Sequence, residues 1–199
     1  MDREDVEELE ARTVYQGYFR IDRYQLRHAL FDGGASRVLT RELFERGRVV
    51  AVLPVDLRSD RVVLIEQFRA GAYAAGWEPW LIECVAGVRE AEESAEDVAR
   101  RETAEEAGCR LGRLYPVMEF LSSPGGTTET VSLFCGEVDA AGVGGVHGLA
   151  EEGEDIRVLN VSRADAMDRL ERGEIRNAKT IIVLQWLALN HRLLEAAWT

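Results

Sequence analysis

The sequence predicts a mixed α+β sandwich in which helices cap a sheet. Three observations predict this fold class: strand patterns dominate the first two thirds of the chain, one acidic helix interrupts them, and two further helices follow the last strand. Helices that cover a sheet form layered sandwiches of this kind. With 199 residues, the chain is long enough for one domain with a substantial core.

The N-terminal part of the chain differs in character from the rest. Residues 1–11 are acidic, and we expect them to be frayed or loosely helical. Apolar and polar residues then alternate over 13–31, an Asp-Gly-Gly turn follows, and residues 36–44 continue as a second strand. We therefore predict an N-terminal β subdomain, 1–46, and a main domain, 47–199.

The main domain shows clear strand, loop and helix patterns. We predict strands over 48–56, 61–68, 80–85, 111–121, 130–138 and 156–161. A helix is expected between Ser162 and Gly173, and a long, largely buried helix over 177–194. Residues 70–79 are predicted as a loop. The Gly- and Glu-rich stretch 140–154 is also a loop, and loops of that length are usually functional or disordered.

Composition excludes several classes of partner. Hydrophobic and charged contents of 46% and 30% are ordinary for a globular protein, but the net charge is −12. Nucleic acids and anionic membranes need a basic surface, so neither is an expected partner, whereas a phosphate substrate remains compatible. No apolar run approaches membrane-spanning length, and no signal peptide is evident. Cys84, Cys109 and Cys135 are predicted to be buried free thiols, which fits a reducing cytoplasm.

The most informative stretch is an acidic helix predicted over 95–107. Ser94 is a good N-cap, and Gly108 stands where a glycine C-cap belongs. Glu102 and Glu106 are four residues apart and share a face, with Glu105 beside them. Like charges at that spacing cost roughly 0.2–0.5 kcal/mol per pair. A divalent cation such as Mg²⁺ or Mn²⁺ would turn that repulsion into binding, although a solvated acidic face explains the same charges.

The spacing of the fixed residues around this helix decides between these interpretations. The positions are Gly87, Glu93, Arg101, Glu102, Glu105, Glu106 and Gly108. This pattern, over 87–108, resembles the Nudix box at each of its invariant positions. Thr103 and Cys109 replace residues that are usually aliphatic, and both are small enough to pack.

The stretch Ser123-Pro124-Gly125-Gly126-Thr127 with Glu129 is the second signal. Its spacing alone is compatible with an ordinary tight turn. It resembles a mark of the ADP-ribose pyrophosphatase branch of the Nudix family, and further similarity extends over nearly the whole chain. The similar segments are 43–47, 63–67, 97–101, 156–157 and the residues from Ala188 onward.

The resemblance implies a fold and a reaction. The fold is an α/β/α sandwich with a mixed sheet. The reaction is hydrolysis of the ADP-ribose pyrophosphate to AMP and ribose 5-phosphate, with Mg²⁺, or Mn²⁺ in its place, as cofactor. It also implies a homodimer that exchanges its N-terminal strands.

The resemblance further implies roles for individual residues. Glu152, on an acidic loop, would be the base that activates water. The metal ligands would be the carbonyl of Ala86 with Glu102, Glu105, Glu106 and Glu154. The substrate would contact Tyr18, Phe19, Arg41, Glu42, Arg46, Arg69, Val88, Ser123, Pro124, Gly125 and Glu129.

Two other functions remain open at this point. The first is hydrolysis of a different nucleoside-diphosphate sugar, such as GDP-mannose or ADP-glucose, by the same phosphate chemistry. The second is a non-catalytic module that binds nucleotide sugars. The chain retains every carboxylate of the box, which disfavours the second function.

Overall fold

A computed structural model describes residues Met1–Thr199. The strands are β1 (Val6–Gln16), β2 (Arg20–His28), β3 (Leu39–Glu45), β4 (Arg48–Asp56), β5 (Arg61–Phe68), β6 (Trp80–Glu83), β7 (Val85–Val88), β8 (Leu114–Leu121), β9 (Thr130–Glu137), β10 (Gly145–His147) and β11 (Ile156–Ser162). The helices are α1 (Ala70–Ala74), α2 (Ala95–Ala107), α3 (Arg163–Glu171) and α4 (Ala178–Trp198), with short 3-10 helices at Arg3–Asp5 and Ala150–Glu152. No helix is long and apolar enough to cross a membrane.

The chain divides into two compact units. The first contains Met1–Gly47 and Leu121–Thr130, and the second contains Arg48–Phe120 and Val131–Thr199. The second unit is built on a sheet with the strand order β10-β11-β5-β4-β9-β8, to which β6 and β7 add by pairing with β5 and β4. β4 is antiparallel to β5 and β7 but parallel to β9, as the bonds Thr130 N–H to Gly47 O and Val138 N–H to Val55 O show. The sheet is therefore mixed, as predicted.

Alternation along β4 explains why both faces of this sheet are covered. Val49, Ala51 and Leu53 point into one core, which α3 and α4 close with Ala166, Leu184 and Leu187. Val50 and Val52 point into the other core, which α2 closes with Val98 and Ala99. Every one of these side chains is at most 6% exposed. A strand that is buried on both faces has a nearly continuous apolar sequence, as β4 does. Because helices cover both faces of the sheet, the predicted α/β/α sandwich is confirmed.

The first unit carries an antiparallel sheet in the order β1-β2-β3. The prediction that residues 1–11 are frayed or loosely helical was wrong from Val6 onward, where Val6–Gln16 form a strand paired with β2, whereas Arg3–Asp5 form a short 3-10 helix. The predicted single strand over 13–31 is likewise divided, with a turn at Gly17, where the Gly17 N–H donates to the Phe19 carbonyl. Every residue of β1 is exposed, and the part of β1 before Thr13 carries no burial pattern from which a strand is predicted.

Smaller differences occur in the second unit. The predicted loop 70–79 contains the one-turn helix α1. The predicted strand 80–85 is two strands, β6 and β7, interrupted at Cys84, which pair with different neighbours. The predicted loop 140–154 contains β10 and a 3-10 turn.

A surface ion pair on the second unit gives a prediction about acid stability. Two hydrogen bonds from Arg113, at 2.9 Å each, together with the Arg113 backbone N–H, lower the pKa of Glu137 to about 2. A lowered carboxylate pKa adds stability above the unfolded value of 4.5, and this contribution is lost as the pH falls towards 2. Glu137→Gln should therefore cost about 1 kcal/mol at pH 7 and progressively less below pH 4.5, measured by urea denaturation of both proteins across that range. A cost that is independent of pH would contradict this account.

Candidate active site

The acidic helix α2 begins and ends where the sequence predicts. The Ser94 hydroxyl accepts from the Asp97 N–H at 3.1 Å, and Gly108 closes the helix in the left-handed conformation, φ 62°. Val98 and Ala99 face the core. This orientation turns Glu102 and Glu106 towards β7, so the helix presents carboxylates to the edge of a strand rather than only to solvent.

Glu106 is buried against β7. It is 3% exposed, its Oε2 accepts from the Ala86 N–H at 3.0 Å, and its Oε1 lies 3.5 Å from Nε2 of Gln67. Burial raises the pKa of Glu106 to about 8, and the charges of Glu102 and Glu154 add to the shift, although the Ala86 N–H and Arg69 oppose it. The carboxylate therefore lacks a full counter-charge in its protein surroundings.

Glu102 lies against the backbone of Gly87. A Cβ at Gly87 would overlap the Glu102 carboxyl group, which explains why glycine stands at this position. Burial raises the pKa of Glu102, and the charges of Glu105 and Glu154 add to this effect while Arg101 opposes it. The two box carboxylates thus experience the same combination of desolvation and like charge.

The position of Arg101 differs from expectation. Its Nε and Nη2 bind both oxygens of Glu93, at 2.9 and 3.2 Å, so this pair braces the loop against the helix as the resemblance implies. Helix geometry alone predicts that Arg101 faces away from Glu102 and pairs with Glu105. It in fact contacts both, with Nη1 at 2.8 Å from Glu102 and 3.2 Å from Glu105, because the long side chain folds back along the helix.

Substitution of Gly87 should separate activity from stability. In Gly87→Ala the new methyl group would displace the Glu102 carboxylate, which is the flexible end of a side chain, so the fold should survive. We expect turnover to fall roughly 10²-fold, since small misplacements of reacting groups have effects of that size. The unfolding temperature and kcat should be measured beside Gly71→Ala, where a methyl group meets nothing within 4 Å. Full activity in Gly87→Ala would contradict the importance of this contact.

Arg69 and Glu154 complete the charged surroundings of the helix. Arg69 lies at the end of β5, and its guanidinium binds Glu83. Burial lowers the pKa of Arg69, but the charges of Glu83, Glu106 and Glu154 outweigh this and raise it overall. The charge of Glu154 therefore acts on both Glu106 and Arg69, although Glu154 is distant from them in sequence.

The acidic loop is attached to the C-terminal end of α2. The Gly148 N–H donates to the Glu105 carbonyl at 3.2 Å, and the Leu149 N–H donates to Oε2 of Glu154 at 3.1 Å. Glu152 is exposed at the end of the 3-10 turn, which Gly153 closes with φ 73°. Of the loop glutamates, Glu154 is partly buried and its charge acts on Glu102 and Glu106, whereas Glu152 is exposed.

Four of the predicted substrate residues of the first unit, Tyr18, Phe19, Arg46 and Glu129, form one local group. Tyr18 and Phe19 pack edge to face with ring centres 4.7 Å apart, and Tyr18 is 94% exposed. Arg46 stacks on the Phe19 ring, 4.8 Å from its centre, and its Nε lies 3.4 Å from Glu129.

The other predicted substrate residues lie on β3, in the turn 123–125 and at the end of β7. Arg41 donates to the Thr40 carbonyl, and Glu42 pairs with Arg23 at 2.8 Å, both on the surface of β3. Ser123, Pro124 and Gly125 form an exposed turn in which the Ser123 carbonyl accepts from Gly126 and Thr127. Val88, in the second unit, is 49% exposed at the end of β7. Their substrate contacts stay predictions.

The chemistry of the helix face fits a divalent cation. Glu102 and Glu106 are desolvated carboxylates with raised pKa values, and oxygen ligands of this kind suit Mg²⁺ or Mn²⁺. No group of three or more His, Cys, Asp or Glu side chains is arranged to hold an ion directly. Glu102 and Glu105 are instead turned towards Arg101, and Glu106 towards the Ala86 N–H. The ligand set therefore stays a prediction that rests on the donor types.

Two residues near the site were missed by sequence reasoning. Glu83 is 1% exposed and holds Arg69, and Gln67 is 5% exposed and faces Glu106. Each lies in a strand with a run of apolar residues, Trp80–Ile82 in β6 or Val62–Ile65 in β5, although β5 also contains Arg61 and Glu66. A charged or amide side chain in such a strand is a usable signal, because those residues are seldom fully buried without a partner.

Comparison with known proteins identifies the family. The NUDIX domain matches residues 45–182. The chain is 52% identical to the ADP-ribose pyrophosphatase of Escherichia coli (strain K12), over 98% of this chain and 94% of that protein. It is 45% identical to the ADP-ribose pyrophosphatase of Haemophilus influenzae, with 98% and 92% covered. It is 35% identical to the GDP-mannose pyrophosphatase of Cronobacter sakazakii, with 93% and 96% covered.

The fold is also found among solved structures. The crystal structure of an ADP compounds hydrolase superposes with a TM-score of 0.71 over 97% of this chain and 96% of that one, at 20% identity. At this level of identity the likeness concerns the fold alone. The domain match and the near full-length relatives agree with the geometry of the box helix, and the chain belongs to the Nudix family.

Proposed function

We propose that this protein is a Nudix hydrolase that cleaves the pyrophosphate of ADP-ribose to AMP and ribose 5-phosphate. The observation that carries the proposal is the convergence of buried Glu106, Glu102 and the Ala86 backbone with Arg69 nearby. A pyrophosphate needs both a cation site and a bidentate cationic donor, and this corner of the fold supplies residues for both. The similarity to ADP-ribose pyrophosphatases supports this choice of substrate.

Each residue of the site would have a separate role in the reaction. The carbonyl of Ala86, with Glu102 and Glu106, would hold the divalent cation, and Glu105 and Glu154 would assist. When bound, the cation neutralises charge on the phosphates and lowers the pKa of water. Arg69 would orient a phosphate through its guanidinium fork. The carboxylate of Glu152 would accept the proton of the attacking water, so that loop position controls the reaction.

The first unit would bind the nucleotide and connect two subunits. Tyr18 and Phe19 offer exposed aromatic faces on which an adenine can stack, and Arg46 and Glu129 lie beside them. We propose a homodimer that exchanges the N-terminal strands, which the wholly exposed β1 and the exposed rings of Tyr18 and Phe31 support. Light scattering of the purified protein tests the dimer. The buried free cysteines support a cytoplasmic location.

A substrate panel tests the reaction. AMP release from ADP-ribose should require Mg²⁺ or Mn²⁺ and stop with EDTA, and ADP-ribose should be preferred over ADP-glucose and GDP-mannose. The similarity to a GDP-mannose pyrophosphatase makes GDP-mannose the main competitor. Metal-dependent preference for it would retain the mechanism and change the substrate. Binding of nucleotide sugars without any cleavage would contradict the enzymatic proposal.

A further inference from the structure

Arg69 is held by a carboxylate that lies outside the Nudix box. Oε2 of Glu83 accepts from Nε of Arg69 at 3.0 Å and from Nη2 at 2.7 Å. Glu83 is 1% exposed, whereas the Arg69 side chain is 39% exposed. The carboxylate is therefore fixed in the interior, whereas the arginine reaches solvent, and the charges of Glu106 and Glu154 act on it.

Glu83 is itself held from the far side by the start of α4. Nδ2 of Asn177 donates to the other oxygen, Oε1 of Glu83, at 2.9 Å. Oδ1 of Asn177 accepts from the Thr180 N–H at 3.2 Å, so the same side chain caps the helix. The Thr180 hydroxyl accepts from the Cys84 N–H at 2.8 Å, which connects the helix start to the strand residue next to Glu83.

The geometry leaves one edge of the Arg69 guanidinium free. A guanidinium has five N–H donors in a planar fork. Glu83 engages the Nε–H and one N–H of Nη2. Of the three remaining donors, one N–H of Nη1 and one of Nη2 form the end edge of the group, and that edge can bind two oxygens of a phosphate in parallel.

We propose that Glu83 and Asn177 are positioning residues that fix Arg69 so that its free edge faces a phosphate of the substrate. This inference rests on the proposed function and extends it. Without the Asn177–Glu83 support, the arginine would lose the partner that sets its plane, and binding would then require ordering a flexible side chain. The support also explains why a charged residue occupies a fully buried position of β6.

The test is a double-mutant cycle on the full chain with the non-hydrolysable α,β-methylene analogue of ADP-ribose. Glu83→Gln should weaken analogue binding roughly tenfold to hundredfold, the range found for residues that orient a ligand-binding group. Arg69→Gln should weaken it at least as much. In the Arg69→Gln background, Glu83→Gln should add less than about twofold, because residues that act through one another are not additive. Titration calorimetry measures all four proteins.

Two further variants control for unfolding. Asn177→Ser retains a good N-cap for α4 but removes the donor to Glu83, and should weaken binding about threefold to tenfold. Glu137→Gln breaks a comparable arginine pair away from the site and should leave binding unchanged. Each variant is checked by thermal unfolding.

The outcomes separate this inference from the proposed function. The positioning role is overturned if the effects of Glu83→Gln and Arg69→Gln are additive, or if Glu83→Gln binds the analogue tightly. Either result leaves the proposed function intact when the wild type cleaves ADP-ribose. A wild type that cleaves no ADP-ribose but shows the non-additive cycle would contradict the proposed function alone. A wild type that does not bind the analogue would contradict both.

Discussion

Glu102→Gln should lower kcat for ADP-ribose by roughly 10²- to 10³-fold, the scale on which loss of one charge-stabilising group acts in an active site. The substitution removes one negative charge but almost no volume. Burial and the neighbouring charges of Glu105 and Glu154 already disfavour the ionised form of Glu102, so its loss should not destabilise the protein. We expect an unfolding temperature equal to or above that of the wild type, together with weaker Mn²⁺ binding by calorimetry.

The same helix provides a matched control for this experiment. Glu96 lies in the first turn of α2 and is exposed, so Glu96→Gln removes the same charge away from the carboxylate cluster. It should leave kcat and Mn²⁺ affinity unchanged. If Glu102→Gln and Glu96→Gln behave alike, or if Glu102→Gln retains its affinity for Mn²⁺, Glu102 is not a metal ligand.

Local patterns account for the parts of the fold that the sequence predicts well. β4, β5 and α2 have the predicted bounds, Arg48–Asp56, Arg61–Phe68 and Ala95–Ala107. The two strands are apolar runs that end at turns, and the helix is bounded by a serine cap and a glycine cap. Signals of this kind depend on neighbours in sequence, so a single chain contains them in full.

β1 shows what a local pattern cannot predict. Its residues are all exposed, three of them are glutamates, and its stability as a strand comes from its ladder of hydrogen bonds with β2. A strand without a buried face has no hydrophobic alternation. The information that specifies it therefore lies in the pairing partner, beyond the stretch itself.

The candidate site likewise has one part that the sequence predicts and another part that it does not. The shared face of Glu102 and Glu106 follows from a spacing of four residues on a helix. The bond from the Ala86 N–H to Glu106 spans 20 residues, and the bond from Asn177 to Glu83 spans 94. Contacts over such distances depend on the tertiary fold, which is why the support of Arg69 was not predicted although Arg69 itself was.

Glu152→Gln should lower kcat roughly 10²- to 10⁴-fold, which is the usual contribution of a general base. Unlike Glu102→Gln, it should leave Mn²⁺ affinity unchanged, because Glu152 is exposed on its turn, whereas Glu154 is the loop carboxylate whose charge acts on Glu106. Hydroxide can replace a missing base, so the residual activity of Glu152→Gln should continue to rise with pH where the wild type has levelled off. Stopped assays from pH 6 to pH 10 measure this difference.

The neighbouring loop carboxylates decide the assignment. Glu151→Gln is the matched control, since Glu151 is exposed on the same 3-10 turn, and it should retain wild-type activity. Glu154→Gln should instead weaken Mn²⁺ binding and loosen the loop, because Glu154 accepts from the Leu149 N–H. Glu152 is not the base if Glu152→Gln keeps near-full activity. The base is then Glu151 or Glu154, whichever variant, Glu151→Gln or Glu154→Gln, shows the rising pH profile instead. The exposed position of Glu152 then explains the expected result physically: a base that reaches the water only when the loop closes leaves the pyrophosphate intact until substrate is bound.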